Sequence, residues 1–306
     1  MIEGCESWFM VRAVGILRWG ALGLLGVGVV CGTLLALDRF DADARSRDTV
    51  HLLDLLDAAP VPGETHQING RSSEAIRPPS KLVLRIRVGL LSRSPIQSLR
   101  ASPTTTCRRA DGSFIAVNQL LQDSSDSPRF CKGGVVDING YSYEGSLELI
   151  RSGNEWLAVN ELSLENYVAS VVGAEMPSRW HVEALKAQAV AARSYAVTHL
   201  VRPAAQTYHL GDTTRWQVFS GPSSLSEQST RATHETRGMV LSYRGGLVES
   251  LYASTQAISD EAHRHLGASM SQHGAQRLAT QGLRFDEILG RYYQGASLAQ
   301  LRRDGS

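Results

Sequence analysis

The sequence has 306 residues, 42% of them hydrophobic, which is enough to bury a sizeable core and excludes a wholly disordered chain. Lys and Arg number 31 against 30 Asp and Glu. No surplus of positive charge is left to neutralise a phosphate backbone, so nucleic acid is excluded as an expected partner.

The apolar run from Trp19 to Leu37 holds no charged residue and is long enough to cross a hydrocarbon core as a helix. Arg12 and Arg18 precede it, and Asp38, Asp41 and Asp43 follow. By the positive-inside bias, residues 1–18 are expected in the cytoplasm, 19–37 as a single-pass anchor and the rest outside the cytoplasmic membrane. A cleaved signal peptide is the alternative, and it exports the same domain. Residues 38–80 mix charges with Pro60, Pro62, Pro78 and Pro79 and read as a linker with one short amphipathic helix over 51–59.

From Lys81 to about residue 160, short runs rich in β-branched and aromatic residues (LVLRIRVGLL, FIAVNQLL, VVDINGYSYEGSLELI, EWLAVNEL) are separated by Gly, Asn, Asp and Ser, and they predict strands. Cys107 and Cys131 fall in this exported part, where they stand either as a disulfide or as two free thiols. Two helical stripes follow: Leu164, Tyr167, Val168, Val171 and Val172, then Leu185, Ala189, Ala192, Ala196 and Leu200. They are parted by GAEMPSRW, in which Pro177 pushes Met176 out of the helical region and ends the first helix near Glu175. Strand-like text (MVLSYRGGLVESLYAS) and helical text (MSQHGAQRLA, FDEILGRYYQ) complete the chain. The fold class expected is α+β, with a strand-rich N-terminal half, a central helix pair and a mixed C-terminal part behind one transmembrane helix.

Glu175 is the first candidate for chemistry. It sits in a helix break beside Ala174, Met176 and Trp180, where loss of hydration raises a carboxyl pKa. A carboxyl that stays protonated near neutral pH can give its proton to a glycosidic oxygen. An ordinary helix-end glutamate is the other reading of the same residues.

The stretch LSLENYVASVVGAEMPSRWHVEALKAQAVAARSYAVTHL closely resembles the signature of the stage II sporulation protein D family, also called the SpoIID/LytB or amidase-enhancer family. Further segments agree in order: GDTTRWQVFSG at 211–221, ATHETRGMVLSYRGGLVESLYAS at 232–254 and GASMSQHGAQRLATQGLRFDEILGRYYQG at 267–295. The resemblance covers residues 81–295 as one domain and leaves 296–306 as a C-terminal tail. It implies a peptidoglycan lytic transglycosylase acting on denuded glycan strands, with Glu175 as the sole acid/base. It also implies that Gln188, Arg193 and Tyr195, with Ser271 and Gln272 of the MSQ turn, bind glycan or shape the cleft. On residue type alone, Tyr195 is equally a core residue and Arg193 equally the partner of a nearby carboxylate.

The chain departs from the family pattern after Ser254, where TQAISDEAHRHLGAS runs directly into the MSQ element and Leu266 stands where a histidine is expected, with His265 one place earlier. A non-catalytic glycan-binding protein, or an activator of a peptidoglycan amidase, is therefore the alternative function. No cofactor is expected, and no metal. No cysteine follows Cys131, and Glu261, His263, His265 and His273 match no strong ligand spacing. The expected partners are glycan strands, a cell-wall amidase and, through the N-terminal helix, the membrane.

Overall fold

A computed structural model describes residues 83–260 and 269–301. The anchor at 19–37, the linker at 38–80 and residues His265 and Leu266 lie outside the described residues. Among the described residues no helix is long and apolar enough to cross a membrane.

The architecture is α+β with a strand-rich N-terminal part. Its strands are β1 (Arg85–Gly89), β2 (Leu99–Ala101), β3 (Thr106–Arg109), β4 (Arg129–Lys132), β5 (Val136–Ile138), β6 (Tyr141–Tyr143), β7 (Ser146–Ser152), β8 (Glu155–Ser163) and β9 (Leu210–Gly211). The main sheet has the order β3-β4-β7-β8-β1-β9, and β2-β5-β6 form a second sheet. Asn139 and Gly140, at φ 51° and 84°, make the two-residue turn that joins β5 to β6. That turn needs positive φ twice, and Asn-Gly supplies it at little cost.

Cys107 and Cys131 face each other across β3 and β4 and form a disulfide. Both are buried, so the bridge closes a 24-residue separation inside the sheet. Of the two states left open by the sequence, the paired one is found.

Strand β8 runs straight into helix α1 (Leu164–Glu175), whose N-cap Ser163 accepts a hydrogen bond from the Asn166 backbone. The helix stops where expected: Met176 turns to extended φ/ψ (−127°, 136°) ahead of Pro177. Helix α2 (Val182–Val201) follows. It is not the one-sided helix that a single apolar stripe suggests. Nearly every residue from Ala184 to Thr198 is buried, because α2 is packed by α1, by α3 (Glu227–Glu235), by β10 (Met239–Tyr243), by α4 (Gln272–Thr280) and by α5 (Phe285–Tyr292). Its alanines let these neighbours approach from all sides.

The C-terminal part adds β11 (Gly246–Leu247), β12 (Leu251–Ala253), β13 (Ser269–Ser271) and β14 (Ser297–Gln300). β12 and β13 pair in parallel. The expectation of a tail from residue 296 is corrected for residues 296–301: β14 pairs antiparallel with β10 across Met239–Ser242, and Ala296 and Leu301 are buried. The free edge of β10 supplies the hydrogen bonds, and four strand residues are too short a run to read as a strand on their own.

Candidate active site around Glu175

Glu175 is the last residue of α1, held where α1, α2, β12, α4 and the 217–219 segment converge. The close approach of the turn that follows it, over 221–224, depends on Gly173, where an added Cβ would lie 1.9 Å from the Ser224 carbonyl oxygen. With no side chain at 173, the turn over 221–224 seats directly on α1, and Ser170 Oγ donates to the Gly221 carbonyl at 2.9 Å.

Both carboxyl oxygens of Glu175 are met by neutral donors. The Val218 backbone N–H donates to Oε1 at 2.9 Å. Gln188 Nε2 and Gln272 Nε2 reach Oε2 at 3.0 and 3.3 Å. The Tyr252 hydroxyl also hydrogen-bonds the carboxyl. A further layer orders these partners: Tyr167 donates to Gln217 Oε1 at 2.9 Å, and Gln217 Nε2 donates to the Tyr252 hydroxyl at 2.9 Å.

Among the described residues no cation pairs with Glu175. Burial without a counter-charge therefore dominates and pushes its carboxyl from 4.5 up to about 7, while the Val218, Tyr252 and Gln272 hydrogen bonds pull the other way. As a residue Glu175 is half-buried, while its carboxyl is desolvated. Near neutral pH both its protonated and ionised forms are populated, which suits a group that must give and take back one proton.

The candidate residues divide into two sets. Gln188 is fully buried and donates to Glu175, and Gln272 does the same from the first turn of α4. Ser271 is fully buried as the N-cap of α4, accepting from the Gly274 backbone at 3.0 Å. It holds Gln272 in place and does not itself bond Glu175.

Arg193 belongs elsewhere. Its guanidinium is completely buried, bonds both oxygens of Glu165 at 3.0 and 2.7 Å, and donates to the Met239 and Thr233 carbonyls. A side chain so enclosed clamps α2 to α1, α3 and β10, and it has no face left for glycan; of its two readings, the carboxylate partner is the one found. Tyr195 is 8% exposed and packs against His199 with the rings tilted by 58° and their centroids 4.6 Å apart. Burial pushes its phenol up to about 12, with the Glu249 and Glu175 charges adding to the rise. It lines the surroundings of Glu175 without bonding it. His273 is exposed against Trp180, and no metal-binding cluster of His, Cys, Asp or Glu occurs among the described residues.

Three groups at the site escaped sequence reasoning: the Val218 N–H, Tyr252 and the Tyr167–Gln217 pair. The segments carrying them were visible as GDTTRWQVFSG and LYAS, but a backbone N–H leaves no residue-type signal. Tyr167 reads as one more member of an apolar stripe.

Residues 152–243 match the Stage II sporulation protein family, SpoIID. An uncharacterised protein of Brachyspira hyodysenteriae is 36% identical over 118 residues, 38% of this chain and 32% of that protein. The Amidase enhancer of Bacillus subtilis is 37% identical over 99 residues, 32% of this chain and 13% of the relative. Stage II sporulation protein D of the same organism is 34% identical over 125 residues, 36% of each chain. The matches thus span about a third or less of these relatives' own lengths. The stretch that holds Glu175, Gln188, Arg193 and the Gln217–Val218 segment lies within the residues that match the SpoIID family.

Proposed function

We propose that the protein acts on the peptidoglycan of the cell wall as a lytic transglycosylase, with Glu175 as its one acid/base. The observation that carries this reading is the cation-free, donor-ringed carboxyl of Glu175, raised to about 7. Protonated Glu175 gives its proton to the bridging oxygen as the bond from that oxygen to the sugar C1 breaks. The C6 hydroxyl of the same sugar then attacks C1, and its proton returns to the Glu175 carboxylate, leaving a 1,6-anhydro end. Each cycle starts and ends with Glu175 protonated, the proton given to the leaving oxygen being replaced by the one from the C6 hydroxyl, so no second carboxylate is needed to activate water. Asp212, whose charge also reaches Tyr167, is buried and engaged by the Ser92 backbone N–H at 3.0 Å and by the Ser92 hydroxyl. The Val218, Gln188, Gln272 and Tyr252 donors stabilise the carboxylate in the middle of the cycle.

Placement outside the cytoplasmic membrane, tethered by residues 19–37, is part of the same proposal. It is supported by the uncharged run in the sequence and by the Cys107–Cys131 bridge, a bond that persists in oxidising compartments. A second reading, activation of a cell-wall amidase without turnover, draws on the likeness to the Amidase enhancer.

One assay separates them. Wild type and Glu175→Gln protein are incubated with stem-peptide-free glycan strands, and products are read by mass spectrometry. The transglycosylase reading expects anhydro-ended fragments from wild type and a loss of about 10³-fold in the variant. Absence of such fragments from both, with enhancement of an added amidase, is the result that overturns it.

A further inference from the structure

The 217–219 segment has no helix or strand of its own, yet two of the donors to Glu175 depend on it. Val218 directs its backbone N–H to Glu175 Oε1 at 2.9 Å, where a strand or helix residue would bond a carbonyl. Without a ladder to hold that peptide, its aim must be set by side chains. The preceding residue supplies the hold: Gln217 is 1% exposed, and both of its side-chain polar atoms are bonded.

The direction of each bond follows from the partners. The Ala192 carbonyl on α2 can only accept, so the amide end that reaches it at 3.2 Å is Nε2. Oε1 lies at the other end, where the Tyr167 hydroxyl on α1 donates to it at 2.9 Å. The second Nε2 hydrogen goes to the Tyr252 hydroxyl oxygen, also at 2.9 Å. Because that oxygen accepts from Gln217, the Tyr252 hydrogen is left to point at the Glu175 carboxyl. Turned end for end, the amide would set Oε1 against the Ala192 carbonyl, two acceptors facing each other, so its orientation is locked.

We infer that Gln217 is a positioning residue for Glu175. Through its own peptide it fixes the Val218 N–H, through its amide it fixes the Tyr252 hydroxyl, and Tyr167 is the lock on its orientation. The catalytic meaning of this role rests on the reading of Glu175 as the acid/base. Both bonds that Gln217 controls pull the Glu175 carboxyl down against the effect of burial, so losing them favours the neutral form and makes a poorer proton donor. The titratable groups around Glu175 are Tyr167 on α1, Tyr195 on α2 and Tyr252 on β12, phenols that burial pushes up and keeps neutral, while α4 brings the neutral Gln272. None of them competes with the carboxyl near neutral pH.

The test titrates Glu175 directly in full-length protein by carbon NMR of labelled glutamate carboxyls, with Glu175→Gln identifying its resonance. Gln217→Met keeps the length of the side chain and removes the amide; Tyr167→Phe keeps the ring and removes the hydroxyl. The expected result is a Glu175 midpoint about 1 pH unit higher in Gln217→Met, with a smaller rise in Tyr167→Phe. With denuded glycan, kcat is expected to fall about tenfold in Gln217→Met while KM is unchanged. Thr236→Val, which removes a buried hydroxyl bonded to the Ala232 carbonyl at 2.8 Å, controls for simple destabilisation and should leave the midpoint in place. Tyr167→Phe, the milder change, carries the test if Gln217→Met fails to fold. A midpoint that stays or falls in Tyr167→Phe, or that rises equally in Thr236→Val, overturns the positioning role even where wild type makes anhydro products. A midpoint raised as expected, in a protein whose wild type makes no such products, keeps the positioning of the carboxyl and removes the transglycosylase reading.

Discussion

Helix α1 holds two glutamates with opposite fates. Glu165, in its first turn, receives a fully buried guanidinium, with Arg193 bonded to both carboxylate oxygens. Glu175, at the other end of the helix, receives only neutral donors and is pushed up to about 7. Residue type and helix are the same, so the difference comes from what the neighbouring elements bring. A cation turns a buried carboxylate into a clamp, whereas amides and hydroxyls hold it in place and leave its proton exchangeable. The lesson is that hydrogen bonding alone does not mark a catalytic acid; the missing counter-charge does.

Breaking the clamp is expected to give the largest effect on stability. Arg193→Ala strands Glu165 without its partner and should cost about 4 kcal/mol in chemical unfolding. Because Arg193 does not touch Glu175, any fragment that remains folded should keep the pH dependence of product formation. A variant that unfolds no more easily than wild type would break the assignment of Arg193 as a clamp.

The next effect comes from the other end. A folded-state pKa of about 7 against 4.5 means that the native protein holds the Glu175 proton more tightly than the unfolded chain. Its contribution to stability is therefore complete below pH 4.5 and is lost as pH rises through about 7. Glu175→Gln removes that loss. The variant should be more stable than wild type at pH 8, by up to about 3 kcal/mol, with the gain shrinking toward pH 5. Thermal melts across this range check the sign, and a gain that grows toward acid pH would contradict it. The same titration predicts that kcat/KM of wild type falls as pH rises through about 7, since the cycle begins with the protonated acid.

The smallest effect sharpens the comparison most. Gln188→Leu deletes a donor to the Glu175 carboxylate and favours its neutral form, so the alkaline limb of the activity profile should move up by about 1 pH unit. Gln272→Leu, at 3.3 Å, should move it less. Downward movement in either variant would show that these amides do not serve the carboxylate.

Much of this was legible in the linear chain. Pro177 announced the end of α1 at Glu175, since the residue before a proline avoids helical geometry. Apolar periodicity separated the strand-rich part from the helix pair. The site beyond Glu175 was legible only as stretches of text, because Gln188, Gln272, Tyr252 and Val218 are drawn together from α2, α4, β12 and a loop.

What the sequence by itself determined is a strand-rich part followed by a helix pair, the helix break and the identity of the carboxyl within it, all consequences of local sterics and period. Tertiary structure alone decided that Arg193 faces Glu165 and leaves Glu175 without a counter-charge, that Cys107 meets Cys131, and that residues 297–300 complete the β10 edge. Charge pairing and burial depend on which distant groups share a space, and no local pattern in the chain encodes that distance.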